Sequence, residues 1–258
     1  MADPVDDSAV TPCTLLDGRV QLVQPVDGYR VAIDPVLLAA CVPALAQGRV
    51  LDVGVGTGAA LGCVLARCPE IRGTGLEIYP PHAALARRML ALNSWTERAG
   101  VVEGDVTARP APVPGSAFDW VITNPPYHGP GTVPSDAGRA GAHMEAVPLA
   151  QWLAFCVRCL APQGQVAVVH RADRTGDILA ALSAEGKVGA LTVIPLWPKP
   201  GVAAKRVLIT GRKGSRAPLT LHPGVVLHHP DGSFTAEAEQ ILRGGGGVPK
   251  LTDRGAGG

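Results

Sequence analysis

Four consecutive residues, Asn124-Pro125-Pro126-Tyr127, set an amide, two prolines and a phenol ring directly after the apolar run Phe118 to Thr123. An amine on a heteroaromatic ring, or a carboxamide nitrogen, is a poor nucleophile because its lone pair is delocalised. Two fixed acceptors that draw on its N–H bonds would turn that lone pair toward an electrophile, which is catalysis by preorganised electrostatics. The Asn124 side-chain oxygen and the Pro125 carbonyl are such a pair. Pro125 lacks an N–H and has a restricted backbone, so its carbonyl is held at small entropic cost. Tyr127 offers a flat face on which a base can stack. The other reading of the same residues is a strand ended by prolines and followed by a core tyrosine.

The elements around this segment must carry it to a ligand. Trp120-Val121-Ile122 has the look of a buried strand, and Pro125 and Pro126 forbid further ladder hydrogen bonds, so the chain leaves the sheet at Asn124. That puts the amide at the carboxyl end of a strand, where open α/β sheets bind their ligands. Upstream, Arg49 to Val53 reads as a strand, Gly54-Val55-Gly56-Thr57-Gly58 as a tight turn, and Leu61, Val64, Leu65 and Cys68 as one face of a helix. Strand, glycine turn and helix together bring backbone close to a nucleotide over a helix N-terminus. Glu77 ends the next strand, at the distance where an acid meets a ribose. Gly54-x-Gly56-x-x-Ala59 also satisfies the dinucleotide fingerprint, so this motif alone does not separate NAD from S-adenosylmethionine. Asp105 closes the strand Val101 to Gly104; its carboxylate suits an adenine amino group, with the Val106 N–H beside it, or it caps a turn.

The remaining chain supplies a frame. Residues 1–17 read as a loose arm, 18–243 as one domain and the glycine-rich 244–258 as a flexible tail. Gly18 to Arg30 suggests a small hairpin or cover, and Asp34-Pro35 a helix start with Asp34 as its cap. Helices are expected at Pro80 to Asn93, Leu149 to Leu160, Thr175 to Glu185 and Thr235 to Leu242, with a further strand at Gln165 to His170. Residues 128–146, with His128 and His143, form a long Gly/Pro-rich loop that reads as a substrate-side lid. Val193 to Leu196 and Arg206 to Thr210 are too close in sequence for a parallel crossover, so they form an antiparallel pair.

Composition bounds the function classes. With 258 residues, 47% hydrophobic and 17% charged, there is chain for one sizeable core. No run reaches a membrane span and the first residues do not resemble a signal peptide, which points to the cytoplasm. Cys13, Cys41, Cys63, Cys68, Cys156 and Cys159 are expected to be reduced thiols; Cys156-x-x-Cys159 lies within a helix, which argues for core packing over a metal or redox site. Residues 1–128 hold 9 Lys/Arg against 13 Asp/Glu, and residues 129–258 hold 14 against 9. The bases concentrate in 171–216, at Arg171, Arg174, Lys187, Lys199, Lys205, Arg206, Arg212, Lys213 and Arg216, a field suited to a polyanion or an ordinary solvated face.

In chain order, the glycine turn, Glu77, Asp105 and Asn124 to Tyr127 resemble the class I S-adenosylmethionine-dependent methyltransferases. The likeness narrows to the bacterial enzymes that methylate N6 of adenine 37 in valine tRNA, through Gln24-Pro-x-x-Gly28-Tyr-Arg30, Asp34-x-Val-Leu-Leu38, His170-Arg-Ala-Asp-Arg174 and Pro195-Leu-Trp-Pro-x-x-Gly201 with Ala204-Lys-Arg206 and Arg212-Lys-Gly-Ser215. His128 departs from the aromatic residue common in relatives. The resemblance implies an α/β fold: a Rossmann-like seven-stranded sheet, mostly parallel, with an antiparallel C-terminal pair and helices on both faces. It implies S-adenosyl-L-methionine as cofactor, S-adenosyl-L-homocysteine as product, and no metal. Asp52, Gly54, Gly56 and Gly58 would hold the methionine part, Glu77 the ribose, and Asp105 and Val106 the adenine, with Asn124 also among the cofactor-binding residues. Asn124 and Pro125 would grip the target amine, Pro126 would fix the turn and Tyr127 would stack. The implied partner is tRNA on the 171–216 field, with monomer and homodimer both open.

Three other readings stand beside this one. The same chemistry would serve a glutamine side chain of a protein such as a release factor, or N2 of a ribosomal-RNA guanine. An NAD-dependent oxidoreductase would use the glycine turn and Glu77, although no proton relay accompanies them. A noncatalytic RNA-binding module would not need Asn124 to Tyr127.

Overall fold

The structure, a computed structural model, describes residues 9–26, 31–126, 147–184 and 187–249. Two strands open it, β1 (Val10–Leu15) and β2 (Val20–Pro25), paired antiparallel from Val10 opposite Pro25 to Leu15 opposite Val20. Val20 and Leu22 are buried on one side, as their alternation predicts. The loose arm expected for 1–17 is therefore a strand from Val10 to Leu15: Thr11 and Cys13 find ladder partners in β2 that a reading confined to 18–30 did not supply. Helix α1 (Asp34–Ala39) follows, with Ile33 at its cap position; the Asp34 carboxylate accepts instead from Arg206 Nε at 3.1 Å.

The doubly wound part then alternates β3 (Gly48–Val53), α2 (Ala59–Arg67), β4 (Ile71–Glu77), α3 (Pro80–Leu92), β5 (Ala99–Glu103), β6 (Phe118–Thr123), α4 (Leu149–Cys159), β7 (Leu160–Arg171), α5 (Thr175–Ser183), β8 (Val188–Trp197) and β9 (Arg206–Lys213). Across the sheet these strands lie in the order β8-β9-β7-β6-β3-β4-β5. All neighbours are parallel except β9, which runs antiparallel to both β7 and β8. This is the seven-stranded arrangement the sequence implies. Two-residue strands, β10 (Thr220–Leu221) and β11 (Val225–Val226), also pair with β8 and bring the sheet to nine; α6 (Ala236–Leu242) closes the described chain, capped by Thr235 Oγ1 on the Ala238 N–H at 3.1 Å.

Successive residues of the central strands face opposite sides, so each strand feeds two cores. Val50, Ile122, Ala167, Ile194 and Leu208 point to one layer, with α1, α2, α3 and α6; Leu51, Val121, Val166, Val193 and Ile209 point to the other, with α4 and α5. Burial of both faces is what the continuous apolar runs require. The first layer extends into the expected tail. Val248 is fully buried and donates its N–H to Ala40 O at 3.1 Å, and Arg67 Nε donates to Gly245 O at 2.8 Å, so 244–249 is packed chain.

The strand order reverses at β3, which has β4 on one side and β6 on the other. A crevice opens at such a reversal, outside the carboxyl ends of the strands. Val53 is level with Thr123 and with Leu76, which places the glycine turn, Glu77 and Asn124 around one mouth.

Candidate active site

The floor of the crevice is the turn from Gly54 to Gly58. Gly54 N and Val55 N donate to Leu76 O at 2.8 and 3.0 Å, tying the turn to the end of β4. Gly54 has φ +76°, and a Cβ there would stand 3.0 Å from Trp152 Cζ2. Gly58 caps α2 at φ +94°, and its Cβ would stand 2.5 Å from Met89 Cε. Both positions need a residue without a side chain, for backbone angle and for space.

Two acids brace this turn from opposite sides. Glu77, 2% exposed, accepts from Gly56 N on Oε2 at 2.9 Å and from Tyr79 N on Oε1 at 3.0 Å, so one carboxylate joins the glycine turn to the start of α3. Asp52 Oδ2 accepts from Leu61 N at 3.1 Å, in the first turn of α2. Burial pushes the Asp52 carboxyl up to about 7; the Leu61 N–H opposes that and the nearby Glu77 charge adds to it. The contact that Asp52 makes is thus with the helix start under the turn.

Asp105 lies across the crevice. Its Oδ1 accepts from Thr107 N and its Oδ2 from Thr107 Oγ1, both at 2.7 Å, which is the turn-capping geometry. A carboxylate oxygen has lone pairs for a second donor, and Asp105 lines the crevice together with Gly54, Leu76, Ile78, Gly104, Val106, Val147 and Trp152. The two readings of Asp105 are therefore compatible. This pocket is mostly apolar with a carboxylate at one wall, the polarity that suits a flat, amino-bearing base; at about 10 Å³ it has room for one water, so a base would have to part its walls.

Beyond β6 the chain turns through Asn124, Pro125 and Pro126. Asn124 Oδ1 is buried and has no hydrogen-bond partner among the described residues. An unsatisfied buried acceptor costs about 1–3 kcal/mol, and native folds keep few of them. Thr57 Oγ1, in the glycine turn, is in the same condition. Thr57 and Asn124 follow the carboxyl ends of β3 and β6, where a bound molecule would satisfy them; a third such atom, Arg67 Nη2, lies at the far end of α2. Tyr127 and the 128–146 segment, with His128 and His143, lie outside the described residues.

A second cavity, of about 640 Å³, is lined by Pro125, Pro126, Trp152, His170, Arg174 and Asp177 among others. That volume suits a small ligand or one nucleotide. Trp152 borders both spaces. Sequence reading passed over it, because a tryptophan on the apolar face of α4 looks like core; only the β6 end opposite it shows what the indole divides. His170, 1% exposed, accepts the Arg171 N–H on Nδ1 at 2.8 Å. Burial and the nearby Arg174 hold its pKa down at about 4, so the ring is neutral at pH 7 with its proton on Nε2. Arg174 Nε pairs with Asp177 Oδ2 at 2.5 Å.

The cysteines take no part. Cys156 and Cys159 are buried free thiols, burial pushes Cys159 up to about 11, and no His/Cys/Asp/Glu cluster among the described residues could hold a metal ion. No helix of the described residues is long and apolar enough to cross a membrane.

Comparison with known proteins agrees with this geometry. Residues 30–181 match the family model described as the methyltransferase small domain. A tRNA1(Val) (adenine(37)-N6)-methyltransferase of Aeromonas hydrophila is 31% identical over 214 residues, covering 82% of this chain and 88% of the relative. The enzyme of the same name from Porphyromonas gingivalis is 29% identical, covering 78% and 85%. Among solved structures, a predicted O-methyltransferase from Agrobacterium tumefaciens aligns with a TM-score of 0.69 at 30% identity, covering 83% of this chain and 97% of its own. The antiparallel β9 and these matches set aside the nicotinamide reading.

Proposed function

Because the chain belongs to the methyltransferase small domain family, we propose that it methylates the exocyclic N6 amine of an adenine in tRNA, at position 37 of the valine tRNA named for its relatives. The cofactor is S-adenosyl-L-methionine. The observation that carries the reading is Asn124 Oδ1, a buried acceptor without a partner among the described residues, directly before Pro125 and Pro126, which line the larger cavity.

The residues present fit the cofactor. Gly54, Gly56 and Gly58 would hold its methionine end through their backbone, with Asp52 beneath α2's start; of the three, a Cβ at Gly56 would meet nothing within 4 Å, and Glu77 has lone pairs left for ribose hydroxyls. The slot at Asp105 and Val106 suits its adenine. When bound, it supplies a methyl group on a sulfonium, open to in-line displacement. The chain's own part is to hold the target amine in line. Asn124 Oδ1 and the Pro125 carbonyl accept its N–H bonds and Pro126 restricts the backbone that carries them; Tyr127, outside the described residues, has the ring on which the base would stack. An anticodon-loop base is cheap to splay out into such a cavity.

The solved relative is described as an O-methyltransferase, yet the acceptor here is better read as an amine. A hydroxyl must lose its proton to a base. Among the described residues that line the larger cavity, His170 has its acceptor nitrogen committed to the Arg171 N–H, and Asp177 is engaged by Arg174. An amine held by two acceptors needs no strong base in the transfer step. Arg171, Arg174, Lys199, Lys205 and Arg206, at the same end of the sheet, are the bases within reach of RNA entering the crevice.

The test is to map methylated nucleosides by mass in RNA from cells with and without the protein. Loss of N6-methyladenosine from the valine tRNA is the expected result. Intact tRNA, with methylation lost from a protein glutamine or a ribosomal guanine, would reassign the substrate.

A further inference from the structure

The basic residues of 171–216 do not form one field. Arg171 is level with Arg206, and Gln165 with Arg212, because β9 runs against β7. The six residue steps from Arg206 to Arg212 therefore separate two rims of the sheet by about 20 Å at ~3.3 Å per residue. At the carboxyl rim the arginines are matched by acids: Arg171 with Asp173, Arg174 with Asp177 and Arg206 with Asp34. At the amino rim the balance is different. Arg49, Arg158, Arg212, Lys213 and Arg216 stand there, and none of the five has a carboxylate partner among the described residues. Asp119, an acid at that rim, gives Oδ2 to the backbone N–H of Arg49 at 2.7 Å.

We infer that the amino rim is a second RNA-backbone surface, which holds phosphates of the substrate remote from the target base. The inference rests on the tRNA reading above. These bases begin or end β3, α4 and β9 or follow β9; β9 and β3 stand three strand spacings of ~4.8 Å apart with β7 and β6 between them, so the rim they mark is a stripe about 15 Å long. The stripe is stiff. Arg158 packs 5.2 Å from the Phe155 ring centroid and Arg49 6.0 Å from that of Phe118, while Lys213 Nζ is fixed on Leu160 O at 2.6 Å. The turn that carries Arg216 is clamped on the start of β8 by Gly214 N to Lys187 O at 2.8 Å and Ala190 N to Ala217 O at 3.0 Å. Guanidinium forks held in place lose little freedom when they meet phosphate oxygens. A folded RNA with one base in the crevice has further helix to wrap the sheet edge, and its charge density favours five cations that have no acid of their own.

The experiment compares two RNAs on the full-length protein: the complete valine tRNA and its isolated anticodon stem-loop. Arg212→Gln/Arg216→Gln and, independently, Arg158→Gln are measured for RNA affinity across a salt series. For the complete tRNA the double variant is expected to bind about tenfold more weakly, with the log–log salt slope shallower by about 1–2. Stem-loop affinity should be unmoved. A salt slope and tRNA affinity equal to wild type in both variants would overturn the second surface, and so would an equal loss on tRNA and stem-loop. Wild-type protein that methylates neither RNA would instead overturn the tRNA reading, which keeps the two failures apart.

Discussion

Trp152 Nε1 donates to Thr123 Oγ1 at 2.9 Å, and Thr123 Oγ1 donates onward to Val53 O at 2.8 Å. This relay pins the indole of α4 between the ends of β6 and β3, so one ring lines both the narrow pocket at Asp105 and the larger cavity. Trp152→Phe and Thr123→Val each break the relay at a cost of about 1 kcal/mol. Each is therefore expected to weaken S-adenosyl-L-homocysteine binding about fivefold by calorimetry. Because they cut one chain of bonds, the double variant should be little worse than either single one. Fully additive losses would mean that the relay does not set the wall.

Gly54→Ala tests the same wall from the other side. A methyl 3.0 Å from the Trp152 ring, on a residue at φ +76°, must displace the indole or the turn. Thermal stability is expected to fall by about 1–2 kcal/mol, with cofactor binding reduced by more than the Trp152 variants show. Unchanged binding by calorimetry would contradict the close approach.

Asp52 and His170 predict opposite pH slopes. The folded state favours protonated Asp52 up to about 7 against an ordinary 3.8, so its contribution is full at low pH and is lost as pH rises through that window. It favours neutral His170 down to about 4 against 6.5, so that contribution is full above 6.5 and is lost as pH falls toward 4. Wild type should show a shallow dependence of Tm between about 4 and 7. Asp52→Asn should leave a Tm that climbs with pH there, and His170→Asn one that declines. Parallel curves for all three proteins would refute the assignment.

Much of this was legible in the residues, and the exceptions share a cause. Gly54 to Gly58, Glu77 and the Asn124 turn declare themselves because backbone angle and proline chemistry are local properties. The antiparallel β8 and β9 followed from a connection too short to cross over. What stayed hidden depends on partners far away in the chain. Val10–Leu15 becomes a strand only against β2, Val248 is buried only against α1, and Trp152 acquires its place only from Thr123. Charge was misleading for the same reason: the bases of 171–216 are contiguous in sequence, but strand direction sends them to opposite rims.

Glu77 is the remaining brace. Glu77→Gln keeps the shape but leaves one acceptor for two N–H groups, Gly56 and Tyr79. Cofactor affinity is expected to fall at least about tenfold, since a hydrogen bond to a charged group contributes about 1.5–3 kcal/mol. Equilibrium binding at wild-type strength would remove Glu77 from the site.

The most direct measurement is single-turnover methyl transfer to valine tRNA by Asn124→Ala, with cofactor binding and Tm taken on the same preparation. Removing a buried acceptor that lacks a partner among the described residues should leave Tm level or raised, and cofactor binding intact, while the transfer rate drops about 10²–10³-fold, as for other lost preorganised groups. Transfer within about twofold of wild type would show that the Asn124 oxygen does not orient the amine.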